Sequence, residues 1–490
     1  LESKSYYESI LSSDRRRSST VPDRCLEAEL SSDRSRIVYS NAFRRMQQKA
    51  QVFSLEDNPG VRSRLTHTME VADCGCLIAS QIADSLIKIN KLKTEQKQPF
   101  IRAVENACLL HDIGNPPFGH FGEIAIQKWF EKYGQDALKA SIKKRKSGTP
   151  KSSEIDSYIQ SKFRDFTLFD GNPQGLRTVT RLISSEDQYG LNLTYTTILS
   201  IVKYISSPEK VNNEPLSKKP GYFSTEEDIV KECRSKLNIV EQSRMPFTYI
   251  MEAADDISYC ISDIEDGIEK QIICANDFFI GLKEEMVKLG LKDEQFPGDA
   301  ITKMIRQKGQ KAETMLPFKT PFARAMIKCA AETFVKERSK IVNGTLSEIF
   351  SEESSEGLSL KAIKNVARKL LFCSSEAEYP EIAGYNIIFG LLNCLKPLLE
   401  CEVDVFKEMV SSPDNSQKGY ELCSRLVRRL PNKHRKSYSD QVEKISGKGN
   451  SENVLNEWHF RAHMIVDFIA GMTDNFALDT YQRLQGIRIA

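Results

Sequence analysis

The sequence predicts an all-α protein, and three observations carry that reading. From Val61 to about Ile89, apolar residues recur at three-four spacing through Leu65, Met69, Ala72, Cys76, Ala79, Ile82 and Leu86, and a second apolar side runs through Val71, Cys74 and Ile78. A helix apolar on two sides belongs at the centre of a helical lobe. The same spacing returns from Pro246 to about Lys270 in Phe247, Ile250, Ala254, Ile257, Ile261, Ile264 and Ile268, with proline at a favoured first helical position. Period-two alternation is scarce; only Leu191–Tyr204 has enough β-branched residues to leave a strand open.

With 490 residues and a formal charge of +2, the chain is long enough for two or more lobes and too balanced for a wholesale nucleic-acid binder. No apolar run approaches a membrane span, and Leu1 to Arg17 is polar and charged rather than secretory. The twelve cysteines are scattered, and Cys74 with Cys76 matches neither a zinc knuckle nor a redox pair. Reduced core thiols in a cytoplasmic protein are therefore expected.

In chain order, residues 1–35 read as a polar N-terminal arm with charge clusters at Asp14–Arg17 and Asp33–Arg36. A solvated arm is expected, the alternative being a basic surface for phosphates or single-stranded nucleic acid. Asn58, Pro59 and Gly60 mark a turn before the first long helix, on which Arg64 and His67 lie one turn apart. Ile101 to Asp112 forms the next helix and points His111 where Ile101, Val104 and Cys108 point, inward. The stretch Ala107–Glu123, ACLLHDIGNPPFGHFGE, then ends that helix in His111-Asp112, turns through Pro116 and Pro117, and opens another helix with His120 and Glu123.

Three polar inserts, 139–156, 206–224 and 292–311, are expected to be mobile surface loops. The Pro246 helix carries a polar stripe, Glu252, Asp255, Tyr259, Asp263 and Asp266, whose bland reading is a solvated acidic face. Further helices are expected at Ser359–Phe372, Tyr385–Met409 and Trp458–Leu484, with a basic stretch between Ser411 and Ser451 that includes Arg425, Arg428, Arg429, Lys433, Arg435 and Lys436. His459 and His463 are four apart but lack the glutamate of a zinc-protease helix, and read as core or interface residues.

Two imidazoles with carboxylates suit a borderline-to-hard divalent cation such as Mn, Fe, Co, Ni or Zn. An upstream His67, the His111-Asp112 pair and a downstream aspartate would make such a site, with His120 and Glu123 as an acid–base pair beside it. This order of residues resembles the HD-domain phosphohydrolases. The longer strings QQKAQVF (47–53), RLTHTMEV (64–71), HDIGNPPFGHFGE (111–123), EAADDISY (252–259) and GMTD (471–474) resemble the bacterial deoxyguanosine triphosphate triphosphohydrolase (dGTPase) family, from about Ser32 to the C-terminus.

The resemblance implies an HD-domain helical core over 36–275 and a helical C-terminal region, 276–490, that completes the nucleotide pocket and the oligomer contacts. It implies hydrolysis of dGTP to deoxyguanosine and tripolyphosphate. His67, His111, Asp112 and Asp255 match the metal ligands, Mn2+ or Mg2+ being expected and other transition metals remaining open. Asp255 is preferred to Asp256 because it shares a face with Tyr259 and Asp263. His120 and Glu123 match the catalytic pair, with His120 acting on the leaving 5′-oxygen or, alternatively, on the attacking water. Arg64, Lys203 and Tyr204 match triphosphate contacts, Tyr259 and Asp263 sugar contacts, and Gln51 and Val52 positions facing the base. Asn393 stands where an acid facing guanine is expected, which opens the door to broader dNTP use. A homo-oligomer, a hexamer in the expected case, and single-stranded DNA as an effector complete what the resemblance implies. The competing readings are an HD hydrolase of another phosphoester, and a nucleic-acid-binding regulator that keeps the fold; the strings around Gln51 and Tyr259 and the intact His120–Glu123 pair speak against each in turn.

Overall fold

The computed structural model describes residues 6–143, 148–182, 188–301, 315–445 and 451–488. Helices make up the architecture, and among the described residues β-pairing is confined to isolated bridges such as Ala50 with Ser63. Two apolar cores divide the molecule. The first gathers around the helices Arg64–Lys88, Lys97–Leu110, Pro246–Glu269 and Leu316–Lys336. The second gathers around Gly119–Trp129, Ser375–Glu400 and Ser451–Ala470.

The central helix starts at Arg64 because Ser63 and Thr66 cap it reciprocally: Ser63 Oγ accepts from the Thr66 amide, and Thr66 Oγ1 from the Ser63 amide. Its second apolar side is the deeper one. Val71 and Ile78 are fully buried there, and on the first side Ala79, Ile82 and Leu86 are fully buried whereas Met69 near its start is 58% exposed. The Pro246–Glu269 helix packs on this helix and on Lys97–Leu110, so the three candidate metal-bearing segments share one core.

Several expectations are corrected. The N-terminal arm is only partly solvated: residues 20–25 are exposed, but Tyr7, Ile10 and Leu11 are buried, and Arg15 lies buried between Glu29 and Asp33 while donating to the Asn192 carbonyl. One buried ion pair, Arg15 with Asp33, thus joins the two charge clusters, while Arg16 pairs with Glu232 and Arg34 with Glu105. Insert 206–224 is packed rather than free; Ser206, Leu216, Tyr222 and Phe223 are buried, and Phe223 joins the second core. Residues 144–147 and 302–311 of the other inserts lie outside the described residues, and the described remainder holds a helix at Ser152–Gln160 and a buried Phe296. The Leu191–Tyr204 stretch is no strand. Thr194 caps the helix Tyr195–Ser200, and Thr194 and Thr197 both donate to Asp33, so β-branched residues serve here as hydrogen-bonding groups.

The expected helix Tyr385–Met409 is instead Ser375–Glu400, followed after an extended Cys401 by Val403–Ser411. Pro380 and Pro397 inside it disguise its length. By length and composition Ser375–Glu400 could cross a membrane, contrary to expectation, but Leu391, Leu392, Leu395 and Leu398 are buried in the second core. Trp458–Leu484 breaks in two at Gly471, because Thr473 caps a new helix, Asp474–Leu484. The basic stretch holds two helices, Glu421–Arg429 and Asn432–Ile445.

Candidate metal centre and active site

Three helices converge on one point. His67 Nε2 lies 3.1 Å from Asp255 Oδ1, and His111 Nε2 lies 3.6 Å from the same oxygen. His67, His111 and Asp255 present one ligand atom each within 4.8 Å of one another. Asp112 stands beside them with Oδ2 3.7 Å from His111 Nε2, but its oxygens are engaged: Arg64 donates to Oδ2 at 2.6 Å and Asn115 to Oδ1 at 2.6 Å. Asp256 faces Lys364 instead, at 2.7 Å.

The donor set fits a divalent cation. His111 Nδ1 donates to the Cys108 carbonyl at 2.7 Å, which leaves the Nε2 lone pair directed at the group, buried and without a hydrogen-bond partner. A buried lone pair facing a carboxylate is the arrangement a Lewis acid relieves. Burial alone would lift Asp255, but the neighbouring His111, His67 and Lys203 hold it well below the usual carboxylate range. Burial likewise opposes charge on His67, and the bond to Asp255 with the nearby Asp112 and Asp263 outweighs it.

The turn after Asp112 is fixed by close backbone approaches. A Cβ on Gly114 would meet the Gly175 amide at 2.0 Å, and one on Gly122 would meet the Pro117 carbonyl at 2.2 Å. Phe118 takes a left-handed conformation, φ +60°, and opens the helix that carries His120. His120 is largely exposed, with Nδ1 3.0 Å from Glu123 Oε2. The other oxygen of Glu123, which is buried, accepts from the Gly171 amide at 2.7 Å. The bond to Glu123 raises the His120 pKa against the opposing effect of burial.

The acidic stripe is not solvated, because each member has a local task. Arg244 at 2.8 Å and Lys203 at 3.4 Å flank Glu252, and the Arg244 guanidinium lies 3.8 Å over the Tyr249 ring. Asp266 pairs with Arg62 at 2.7 Å. Asp263 is fully buried, neither oxygen has a bond of ordinary geometry among the described residues, and burial pushes it up to about 8 with partial relief from His67 and Tyr259 beside it. Tyr204 is buried. Gln51 and Val52 sit in the bend after Ala50, and Gln51 Oε1 is buried and unpartnered among the described residues. Asn393 is the outlier: it is exposed, and its Oδ1 accepts from Trp129 Nε1 at 2.8 Å, at the far end of the His120 helix.

Residues that sequence reasoning passed over also build the site. Lys219 comes from insert 206–224, bonds Asp170 at 2.7 Å and lies within electrostatic reach of Glu123 and His120; nothing local in the insert signals this. Asn115, Glu252 and Asp474 lie inside the motif strings but carried no assigned role.

A second buried group joins Asp165, His459 and His463. Tyr158 Oη lies 3.1 Å from His459 Nδ1, His459 Nε2 lies 3.1 Å from Ser224 Oγ, Ser224 Oγ donates to Asp165 Oδ2 at 2.7 Å, and His463 Nε2 reaches the same oxygen at 3.1 Å. Donors and acceptors alternate around this relay with both imidazoles neutral, and burial depresses both histidines.

Helical fold and split histidine–aspartate group together define an HD-domain phosphohydrolase. Residues 64–182 match the HD domain family and residues 414–483 the phosphohydrolase-associated domain. The deoxyguanosinetriphosphate triphosphohydrolase of Yersinia pseudotuberculosis is 37% identical over 486 residues, covering 92% of this chain and 93% of that one. Those of Yersinia enterocolitica and Serratia proteamaculans are each 36% identical, covering 92% and 93% of this chain and 93% of each relative. The chain belongs to the deoxyguanosinetriphosphate triphosphohydrolase family.

Proposed function

We propose that the protein hydrolyses dGTP to deoxyguanosine and tripolyphosphate. The observation that carries this reading is the pairing of two devices on one turn: the His67–His111–Asp255 group at one end and the His120–Glu123 pair at the other. A divalent cation, Mn2+ or Mg2+ in the expected case, would be held by His67, His111, Asp255 and, on release from Arg64, Asp112. When bound it supplies Lewis-acid polarisation of the phosphoryl group. The water oxygen joins the α-phosphorus and the bond to the 5′-oxygen breaks, so the departing oxygen needs a proton. Protonated His120, supported by Glu123, is suited to supply it; action on the attacking water is the alternative.

Arg64, Lys203, Tyr204 and Lys219 are assigned to the triphosphate. Unpartnered Asp263 oxygens suit the 3′-hydroxyl as a donor, with Tyr259 packed along the sugar. Gln51 Oε1, buried without a donor, suits the N–H edge of guanine, and Val52 an apolar contact with the base. Broader dNTP use, suggested by Asn393 in place of an acid, remains the second reading; the Asn393 oxygen accepts from Trp129. A homo-oligomer, expected as a hexamer, and single-stranded DNA as an effector follow from the family resemblance; the basic 425–436 region would serve either that nucleic acid or a neighbouring subunit's pocket.

The test is to incubate the protein with each dNTP and with GTP, with Mn2+ or Mg2+, and to identify the phosphate product. Tripolyphosphate with dGTP is expected. Release of pyrophosphate or orthophosphate would overturn the reading, and equal turnover of all four dNTPs would overturn its guanine preference. Light scattering on the same sample reports the oligomer.

A further inference from the structure

Three segments far apart in sequence meet behind the catalytic turn. Lys49 is buried, and its ammonium donates to the Asn115 carbonyl at 2.5 Å and to the Ala470 carbonyl at 2.8 Å. Its own carbonyl accepts from the Arg64 amide at 3.0 Å, at the start of the helix that carries His67. Asp474 is also buried. One of its oxygens accepts from the Ala50 amide at 2.9 Å, and the other from the Phe118 amide at 3.0 Å. Asp474 therefore grips the left-handed residue that opens the His120 helix and, with its other oxygen, the residue just before Gln51. Left-handed backbone at a phenylalanine costs about 1 kcal/mol and needs outside support. The Phe118 ring also packs directly on Gly384, where a Cβ would meet its Cγ at 2.3 Å.

We infer that Asp474, together with Lys49, is a positioning residue that fixes His120 relative to the histidine–aspartate group and ties that spacing to the base-facing loop. Neither side chain has been given a contact with substrate; both act through backbone. Asn115 extends the brace, because its carbonyl takes Lys49 while its amide takes Asp112. The C-terminal helix Asp474–Leu484 thus reaches into the catalytic turn through one carboxylate. Both carboxylate oxygens face backbone N–H groups, so an isosteric amide would turn an NH2 against one of them. This inference rests on His120 acting in the reaction proposed above.

The experiment compares full-length wild type with Asp474→Asn. Melting and Mn2+ titration report folding and the metal group, dGTP turnover reports kcat and KM, and NMR of labelled histidines reports the His120 titration without any turnover. Expected for Asp474→Asn are a cooperative melt, Mn2+ affinity within about twofold of wild type, a kcat roughly 10- to 100-fold lower, and a His120 titration moved toward that of a free imidazole as its contact with Glu123 loosens. A general structural role would instead lower Mn2+ affinity and melting in step with kcat. That result, or an unchanged kcat and His120 titration, overturns the inference. If Asp474→Asn does not fold, Gly384→Ala presses directly on Phe118 and should give the same signature; its absence there overturns the inference as well. If wild type releases no tripolyphosphate but the His120 titration still shifts in the variant, the reaction is wrong and the positioning stands.

Discussion

His120 stands 3.0 Å from one oxygen of Glu123, while the Gly171 amide fixes the other oxygen at 2.7 Å. A carboxylate anchored on its far side cannot swing away from the imidazole, so it sets both the tautomer and the basicity of His120.

The first prediction concerns pH. The bond to Glu123 raises His120 above its ordinary value of 6.5. As a proton donor His120 acts in its protonated form, which persists below its pKa and is lost above it. The alkaline limb of kcat therefore lies above pH 6.5, and Glu123→Gln moves it acidward by removing the charge while keeping an acceptor. His120→Ala lowers kcat roughly 10²- to 10⁴-fold without weakening Mn2+ binding. A limb that stays in place in Glu123→Gln would show that the pair is not coupled in catalysis.

The second prediction concerns the metal. His67→Ala or Asp255→Ala removes a ligand atom from the convergent group, whereas Asp112, paired with Arg64 and Asn115, is one step further from it. Mn2+ at a hundredfold excess over its Kd stabilises the folded chain by about 2.7 kcal/mol, seen as a higher melting midpoint. Both alanine variants should lose that gain and Asp112→Asn should retain part of it. Equal loss in all three would place Asp112 among the primary ligands in the resting protein.

How much of this was legible beforehand depends on the range of the interaction. The helices at 64–88 and 246–269 follow from three-four spacing, a local signal that survives without any alignment. The ends of Ser375–Glu400 did not, because Pro380 and Pro397 look like breakers until their neighbours supply the packing. Arg15 looked like surface because its partners, Glu29, Asp33 and Asn192, lie up to 177 positions away. Lys219 and Lys49 escaped notice for the same reason: a lysine's role is set by the carbonyl or carboxylate it reaches, and sequence spacing does not encode that.

The third prediction concerns acid stability. Burial depresses His434 and His463 to about 3, and His459 also falls below its ordinary 6.5. A histidine whose folded pKa is depressed binds its proton only on unfolding. Stability is therefore fully present above about pH 6.5, and it falls as pH drops from there toward 3. Each such group contributes up to about 1.4 kcal/mol per pH unit within that window. Melting midpoints measured from pH 7 to 5 should fall steeply, and His463→Asn should flatten the slope. A midpoint independent of pH in this range would mean these imidazoles are charged in the folded protein.

The fourth prediction sets function against stability. Asp263 is fully buried, its oxygens lack bonds of ordinary geometry, and it is pushed up to about 8. Because the folded state holds this proton more tightly than the unfolded chain, the contribution of Asp263 alone declines as pH rises between 4 and 8 and offsets part of the histidine effect. Asp263→Asn removes the ionisation at constant volume and should raise stability at pH 8 by on the order of 1–2 kcal/mol. It should also raise KM for dGTP, since a donating 3′-hydroxyl favours the ionised carboxylate and the amide has no ionised form. A variant that gains stability with no change in KM would detach Asp263 from the sugar.

The last prediction concerns base choice. The family resemblance places Asn393 where an acid would face guanine, but its side chain accepts from Trp129, at the end of the Gly119–Trp129 helix. His120 lies near the other end, roughly 13 Å away along the axis at 1.5 Å per residue. Asn393→Asp keeps an acceptor for the Trp129 indole on an exposed position, so stability should change by less than about 0.5 kcal/mol. The ratio of kcat/KM for dGTP over dATP should stay within about twofold. Gln51→Ala, by contrast, removes a buried acceptor from the base-facing bend and should lower that ratio about tenfold, the equivalent of 1.4 kcal/mol for one hydrogen bond to the base. If the aspartate variant instead raises the dGTP ratio tenfold while Gln51→Ala leaves it alone, guanine is read from the Ser375–Glu400 helix and not from the Gln51 bend.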